Sequence, residues 1–413
     1  SGVALSFGTT AAARVERPSL GGTFRWHLDR MEDTNGNAIA FVWSGPADGT
    51  AQVYLEEIRY NPDDGSGMLI EFEYEARPDP ISDFRPGFEL LTGKRLTRIV
   101  MSEGGSEVRS YELAYVPTDD SQPLSLLASV TTVGRDSTST LPPARFSYTE
   151  FDPFAGVPAA MPTAPVLTLG GDIDLLDLDG DALPDILDTS SVPIQPQSYF
   201  LNLGPDELGE VQWGARIFTA ASPLKKLSAP NIQLADLDGD GRTDLTEQSG
   251  TTTQVWSLDP ALEWVATGFL TSSGFNLADP DTRLVDLDHD KRTDVLQTGA
   301  TVNTAWLALP NGRYSNPFFF AAGTPAIRFS SPTTQLADMN GDRLQDLVRL
   351  ENGIATYRPS MGRGFFGPLV TLANPPAGVA DASRLRPVDV NGDGLSDIVW
   401  VNGGSAVVYL NLG

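Results

Sequence analysis

Asp177-Leu-Asp-Gly-Asp-Ala-Leu-Pro-Asp185 is followed by four relatives of itself. They are Asp236-Leu-Asp-Gly-Asp-Gly-Arg-Thr-Asp244, Asp286-Leu-Asp-His-Asp-Lys-Arg-Thr-Asp294, Asp338-Met-Asn-Gly-Asp-Arg-Leu-Gln-Asp346 and Asp389-Val-Asn-Gly-Asp-Gly-Leu-Ser-Asp397. Their starts lie 59, 50, 52 and 51 residues apart. Each copy carries a side-chain oxygen at positions 1, 3, 5 and 9. Four such oxygens on a tight loop can converge on one hard cation. Calcium takes roughly 6–8 oxygens, and a carboxylate-rich loop supplies them, whereas magnesium keeps more of its waters. The expected ligands are therefore Asp177, Asp179, Asp181 and Asp185; Asp236, Asp238, Asp240 and Asp244; Asp286, Asp288, Asp290 and Asp294; Asp338, Asn340, Asp342 and Asp346; and Asp389, Asn391, Asp393 and Asp397. Position 7 is expected to offer its backbone carbonyl, from Leu183, Arg242, Arg292, Leu344 and Leu395. Glycine at position 4 lets the backbone wrap closely, and His289 replaces it once.

The residues around each loop decide between folds. An EF-hand needs Gly at loop position 6, Glu at position 12 and a helix on either side. Position 12 is Asp188, Glu247, Gln297, Arg349 and Trp400, and the flanks are short runs of Val, Ile and Leu, which read as strands. An aromatic strand and a turn follow each loop, as in Tyr199-Phe-Leu-Asn-Leu-Gly204 and Ala305-Trp-Leu-Ala-Leu-Pro310. A further strand comes next, such as Trp213 to Phe218 or Phe318 to Phe320. A strand-only period of about 50 residues is the signature of a β-propeller of four-stranded blades. Ankyrin, tetratricopeptide and HEAT repeats have comparable periods but need helices, which the frequent Gly and Pro exclude. Asp and Asn also cap turns through their own backbone. That explains one copy more easily than five.

Residues 1–150 contain no such loop and read as a β-rich region of paired strands. In Met68 to Ala76 the apolar residues alternate with Glu71, Glu73 and Glu75, the pattern of a strand with one wet face. Val53 to Tyr60, Arg95 to Met101, Tyr111 to Tyr115, Leu126 to Val133 and Arg145 to Tyr148 are further strands, with turns at Asn61 to Gly65 and Glu103 to Gly105. Asp33-Thr-Asn-Gly-Asn37 reads as a hairpin turn. The Pro-rich stretch Asp152 to Pro165 divides this region from the propeller, residues 151–413. The class is all-β.

Composition narrows the chemistry. The 413 residues carry 28 Lys and Arg against 54 Asp and Glu, a formal charge of −26, which argues against nucleic acid or an anionic membrane as partner. The five loops hold 18 of the 32 acids after residue 150, so the charge is largely a periodic device. Five calcium ions would bring it to about −16. Cysteine is absent, which excludes disulfides and Cys-ligated metals. His27 and His289 are the only histidines and leave little room for triad chemistry. Gly104-Gly-Ser-Glu and Gly403-Gly-Ser-Ala lack the setting of a nucleophilic serine. Asp-x-Asp can hold a metal–nucleotide, and paired acids can cleave glycosides, but five equivalent copies do not single out one active site. No stretch reaches the ~18 apolar residues of a membrane helix. The first residues show no signal peptide, and the chain is expected to be a piece of a longer protein.

Two stretches resemble known families. The five loops with their following strands resemble FG-GAP/VCBS repeats, which implies calcium-binding propeller blades. Trp26-His-Leu-Asp-Arg-Met-Glu-Asp-Thr-Asn-Gly-Asn37, Tyr54-Leu-Glu-Glu-Ile-Arg-Tyr60, Phe72-Glu-Tyr-Glu-Ala-Arg-Pro-Asp79 and Lys94-Arg-Leu-Thr-Arg-Ile99 resemble the SpvB/TcaC-like region of the B component of bacterial insecticidal Tc toxins. The resemblance implies a six-bladed propeller, expected here to be incomplete with its last blade truncated, a secreted parent protein and a non-enzymatic role. It also implies docking on the pore-forming toxin A component, and gating of an effector held in an Rhs-like cocoon. A second reading stays open: a secreted adhesin or lectin-like module, with Phe318 to Phe320 and Phe365-Phe366 stacking on sugar.

Overall fold

Period-2 patterning builds most of the first 145 residues into a nine-stranded antiparallel sheet, beside a separate two-stranded one of Arg14–Arg17 and Gly22–Trp26. The strands of the larger sheet run in the order Ala4–Phe7, Leu28–Glu32, Ala38–Trp43, Leu55–Tyr60, Met68–Asp83, Leu90–Glu103, Ser106–Tyr115, Leu127–Gly134 and Ala144–Arg145. In the longest of them Phe72 and Tyr74 are half-buried while Glu71, Glu73 and Glu75 face water, as the alternation predicts. Arg95 answers Glu75 from the neighbouring strand at 2.7 Å. The Glu103 to Gly105 turn joins two strands with Gly104 and Gly105 at φ 55° and 76°, values that glycine adopts without strain. Asp33 accepts the Asn35 and Asn37 N–H groups at 2.8 and 2.9 Å, which makes its segment the expected hairpin turn.

The protein is described by a computed structural model covering residues 2–412, except 18–21, 46–50, 62–66, 118–123, 149–161, 168–170, 182, 209, 238–241, 272–273, 310–312, 380, 391 and 403–404. The turn at Asn61 to Gly65, most of the boundary stretch and the expected ligands Asp238, Asp240 and Asn391 therefore lie outside the described residues, wholly or in part.

From Ile173 onward the chain forms a β-propeller. Blade 1 has strands Ile173–Leu176, Asp185–Asp188, Ser198–Phe200 and Ile217–Phe218. Blade 2 has Ile232–Ala235, Asp244–Ser249, Thr252–Leu258 and Trp264–Thr271. Blade 3 has Thr282–Val285, Asp294–Gln297, Val302–Trp306 and Phe318–Ala321. Blade 4 has Thr334–Ala337, Asp346–Glu351, Ile354–Arg358 and Val370–Thr371. Blade 5 shows Leu385–Val388, Asp397–Asn402 and Ser405–Tyr409. Among the described residues the blades number five, which corrects the expectation of six. The N-terminal strands do not supply a sixth. They run to 16 and 14 residues and hydrogen-bond to one another in their own sheet.

Apolar residues of successive blades pack face to face. Leu178, Leu187 and Tyr199 of blade 1 meet Ile232, Leu245 and Leu258 of blade 2. Leu287, Leu296 and Phe320 of blade 3 meet Leu347 of blade 4, and Met339, Val348 and Leu350 of blade 4 meet Leu385 and Ile398 of blade 5. Leu245, Leu296, Leu347, Leu350 and Leu385 are fully buried. Each such leucine contributes roughly 1.5–3 kcal/mol by burial. Phe320 and Phe366 belong to this packing, whereas Phe318, Phe319 and Phe365 are exposed. Among the described residues no helix is long and apolar enough to cross a membrane.

Candidate cation loops

All five acidic nonapeptides occupy the same place. Position 1 follows the last residue of a blade's first strand, and position 9 is the first residue of its second strand. The loop is thus the connection between two paired strands. The reason lies in its hydrogen bonds. Position 1 gathers backbone donors: Asp177 accepts the Gly180 N–H at 2.8 Å, Asp338 the Gly341 N–H at 2.8 Å and Asp389 the Gly392 N–H at 2.7 Å. Asp286, Asp338 and Asp389 also accept the position-6 N–H, at 2.9, 2.6 and 2.9 Å. Position 5 accepts the position-7 N–H at 2.8–2.9 Å in the Asp181, Asp290, Asp342 and Asp393 loops. Such local bonds curl the chain without any regular structure.

Position 9 does something different. Asp185, Asp294, Asp346 and Asp397 are fully buried. One oxygen of each accepts the position-2 N–H of its own loop, from Leu178, Leu287, Met339 and Val390 at 2.9–3.0 Å. The other accepts a backbone N–H beyond the third strand, from Asn202, Ala308, Ser360 and Asn411 at 2.6–2.8 Å. The carboxylate is a strut that fixes loop, second strand and chain exit together. Sequence reading assigned position 9 to the cation and missed the strut. The signal was present in the invariant Asp at a strand's first residue, and in the apolar position 2 that anchors the loop, where Leu178, Leu287 and Met339 are each buried.

The loops also join blades. The Thr293 hydroxyl of loop 3 donates to the Asp236 carbonyl of loop 2, and the Ser396 N–H of loop 5 donates to the Asp338 carbonyl of loop 4 at 2.8 Å. In both pairs position 8 reaches back to position 1 of the preceding loop.

Position 4 needs a left-handed backbone. Gly180, Gly341 and Gly392 have φ of 83°, 76° and 75°, and His289 is held at 61°. A Cβ on Gly341 would also lie 3.2 Å from Leu395 Cδ2 of the next blade. Gly341→Ala is therefore expected to cost about 1–2 kcal/mol, and His289→Gly to gain a fraction of that. Urea unfolding midpoints at unchanged m-value check both.

Convergence of oxygens differs between loops. Asp177, Asp179 and Asp185 place carboxylate oxygens within 4.8 Å of one another, and so do Asp286, Asp288 and Asp294. These are positions 1, 3 and 9. Asp181 and Asp290, at position 5, stand outside both groups, and Asp290 is paired with the Arg292 guanidinium. Arg292 also turns its side chain toward the Ala308 carbonyl at 3.4 Å. In loop 3 the buried Asp288 Oδ1 has no hydrogen-bond partner. An oxygen in that state is costly unless something positive faces it. Burial, then the Asp290 and Asp286 charges, raises the Asp288 carboxyl above its usual value. Burial also raises Asp185 and Asp397, and pushes Asp294 up to about 7, Asp346 up to about 8 and Asp338 up to about 6. The donor set is all oxygen, with three carboxylates per group and one orphaned oxygen. That set fits a hard divalent cation and not a soft metal.

No family profile matches the sequence, and no curated protein matches it. Solved structures do. The chain aligns over its whole length with 22% of a chain in the structure of the Photorhabdus luminescens Tc holotoxin pore, at 21% identity and a TM-score of 0.83. It aligns over its whole length with 25% of a chain in a TcdB2–TccC3 crystal structure, at 20% identity and a TM-score of 0.52. Over 97% of its length it aligns with 24% of a chain in the TcdB2–TccC3–Cdc42 structure, at 19% identity and a TM-score of 0.51. The chain spans about a quarter of the length of the structures it resembles. Its structural neighbours are components of Tc toxin complexes, and it shares their fold.

Proposed function

We propose that this chain is the SpvB/TcaC-like and propeller region of a Tc toxin B component, with FG-GAP/VCBS-type blades. In this reading it is a non-catalytic scaffold of a secreted complex. It docks the pore-forming A component, gates release of an effector from an Rhs-like cocoon elsewhere in the assembly, and neither binds nucleic acid nor enters the membrane itself. The observation that carries the reading is the match to the holotoxin over the whole chain, N-terminal sheet and propeller together. A five-fold repeated loop, with no singular cluster of reactive groups among the described residues, supports scaffold rather than catalyst.

Calcium belongs to the same reading. Asp177, Asp179 and Asp185 would hold one ion, and Asp286, Asp288 and Asp294 another. The ion supplies positive charge to a carboxylate cluster and adds a cross-link between two strands of a blade. The residues themselves set the cluster: backbone N–H groups orient positions 1 and 9, and burial keeps water away from position 9.

The full-length parent protein tests the proposal in a binding assay with its pore-forming partner. Association in the nanomolar range at ~0.15 M salt is expected. No association with the pore-forming component, together with binding to arrayed glycans, would instead identify an adhesin or lectin-like module.

A further inference from the structure

The fourth loop differs from the third in what its carboxylates face. Asp342, at position 5, is 3% exposed. Its Oδ1 accepts the Leu344 N–H at 2.9 Å, and its Oδ2 accepts both the Asn340 side-chain amide at 3.1 Å and the backbone N–H of Phe84 at 2.7 Å. Phe84 opens the turn between two long strands of the N-terminal sheet, 258 residues away in the chain. Asp338 accepts three backbone N–H groups and Asp346 two, so each oxygen of these three carboxylates has a donor. Position 3 is Asn340, which removes one charge and donates where Asp288 of loop 3 leaves an orphaned acceptor.

The donor arrives on a shaped tip. Met68–Asp83 and Leu90–Glu103 are joined by the turn Phe84 to Glu89, closed by the Gly87 N–H on the Phe84 carbonyl at 2.8 Å. Arg85 pairs with Asp83 through two side-chain bonds at 2.9 and 2.5 Å, and Asp342 and Asp338 add to the field that keeps its guanidinium charged. Phe84 is 7% exposed, and its ring lies 3.5 Å from where a Cβ on Gly367 would sit. A Cβ on Gly87 would lie 3.9 Å from the Met361 carbonyl. The turn thus touches blade 4 by a hydrogen bond to a buried carboxylate, by a buried aromatic ring and by close backbone.

We propose that the fourth loop is a docking socket for the Asp83–Leu90 turn, and that this contact, rather than a cation, satisfies its acids and latches the N-terminal sheet to the propeller. The latch stands independently of whether the third loop binds calcium; the division of labour between the two loops rests on the proposed function.

Hydrogen exchange in the intact chain tests the latch. The Phe84 amide sits at the start of a turn and would exchange quickly if it faced water. Protection is expected, with or without chelator. In Asp342→Ala exchange at Phe84 should rise by on the order of tenfold or more, the worth of one charge-assisted bond, while strand Asp346–Glu351 stays protected. Asp290→Ala, the same position in loop 3, should leave Phe84 unchanged. If Asp342→Ala does not fold, Phe84→Ala serves, with faster exchange across Arg85 to Glu89 expected. Calcium titration by calorimetry gives the second arm: Asp288→Ala should lose one bound ion and Asp342→Ala none. Free exchange of Phe84 in the unsubstituted chain, or loss of an ion in Asp342→Ala, overturns the proposal. No calcium bound by the unsubstituted chain would refute the calcium reading and leave the latch to the exchange result.

Discussion

Asp346→Ala is expected to destabilise the propeller by about 3–5 kcal/mol, more than loss of any exposed loop acid. The substitution removes an acceptor from two buried donors, the Met339 N–H at 2.9 Å and the Ser360 N–H at 2.8 Å. Each orphaned donor costs about 1–3 kcal/mol, and a small cavity adds to the sum. The two bonds belong to different segments, the loop and the exit of the third strand, so losing them frees both. Asp346→Asn keeps the shape and one acceptor but turns an amide N–H toward a backbone N–H, so about half that loss is expected. Asp290→Ala is the contrast, since its partner is the half-exposed Arg292, and a change within about 1 kcal/mol is expected. Urea unfolding of the three variants decides it. Equal losses for Asp346→Ala and Asp290→Ala would remove the strut.

The propeller was legible because its period is written in residues that only one kind of place tolerates. An acid at a strand's first residue, eight residues after another acid that directly follows a strand, has no use in a helix. The alternation Phe72, Tyr74 against Glu71, Glu73, Glu75 likewise gave the N-terminal sheet a strand and a wet face. The blade count was less legible. Strands of the N-terminal region have the same local pattern as blade strands, and nothing in Met68 to Ala76 says whether its partner is the next hairpin or a distant blade. Pairing is decided by register over 16 residues, a global quantity. Position 9 shows a second limit. A carboxylate that braces two backbone N–H groups and one that does not have the same letter. Which it does depends on where Asn202, Ala308, Ser360 and Asn411 bring their amides, 14 to 17 residues on. The Phe84–Asp342 contact lies further still from any local signal.

Calcium is expected to raise the melting temperature by about 10 °C at pH 8 and by less than half of that at pH 5. Burial first, with help from the other loop acids and against the pull of their own backbone bonds, pushes Asp294 up to about 7 and Asp346 up to about 8, above the ~4 of an unfolded carboxyl. Between about pH 4 and 8 these two acids therefore bind more protons in the folded, calcium-free chain than in the unfolded one, and their contribution to stability falls as pH rises through that window. Below pH 4 these two acids are protonated in both states and their contribution is fully present. A divalent ion at Asp286, Asp288 and Asp294 opposes the trend, because it favours the ionised carboxylates and competes with protons for them. Two ions at a hundred times their dissociation constants add about 5 kcal/mol, and about 2–4 °C per kcal/mol applies to a domain of this size. The measurement is a melting curve with calcium and with chelator at pH 5, 6.5 and 8. In chelator the midpoint should fall with pH, and the gap between the two curves should widen. A gap of the same size at all three pH values would place the ion away from the buried acids. No gap at any pH would mean that the loops hold themselves together by their backbone bonds alone.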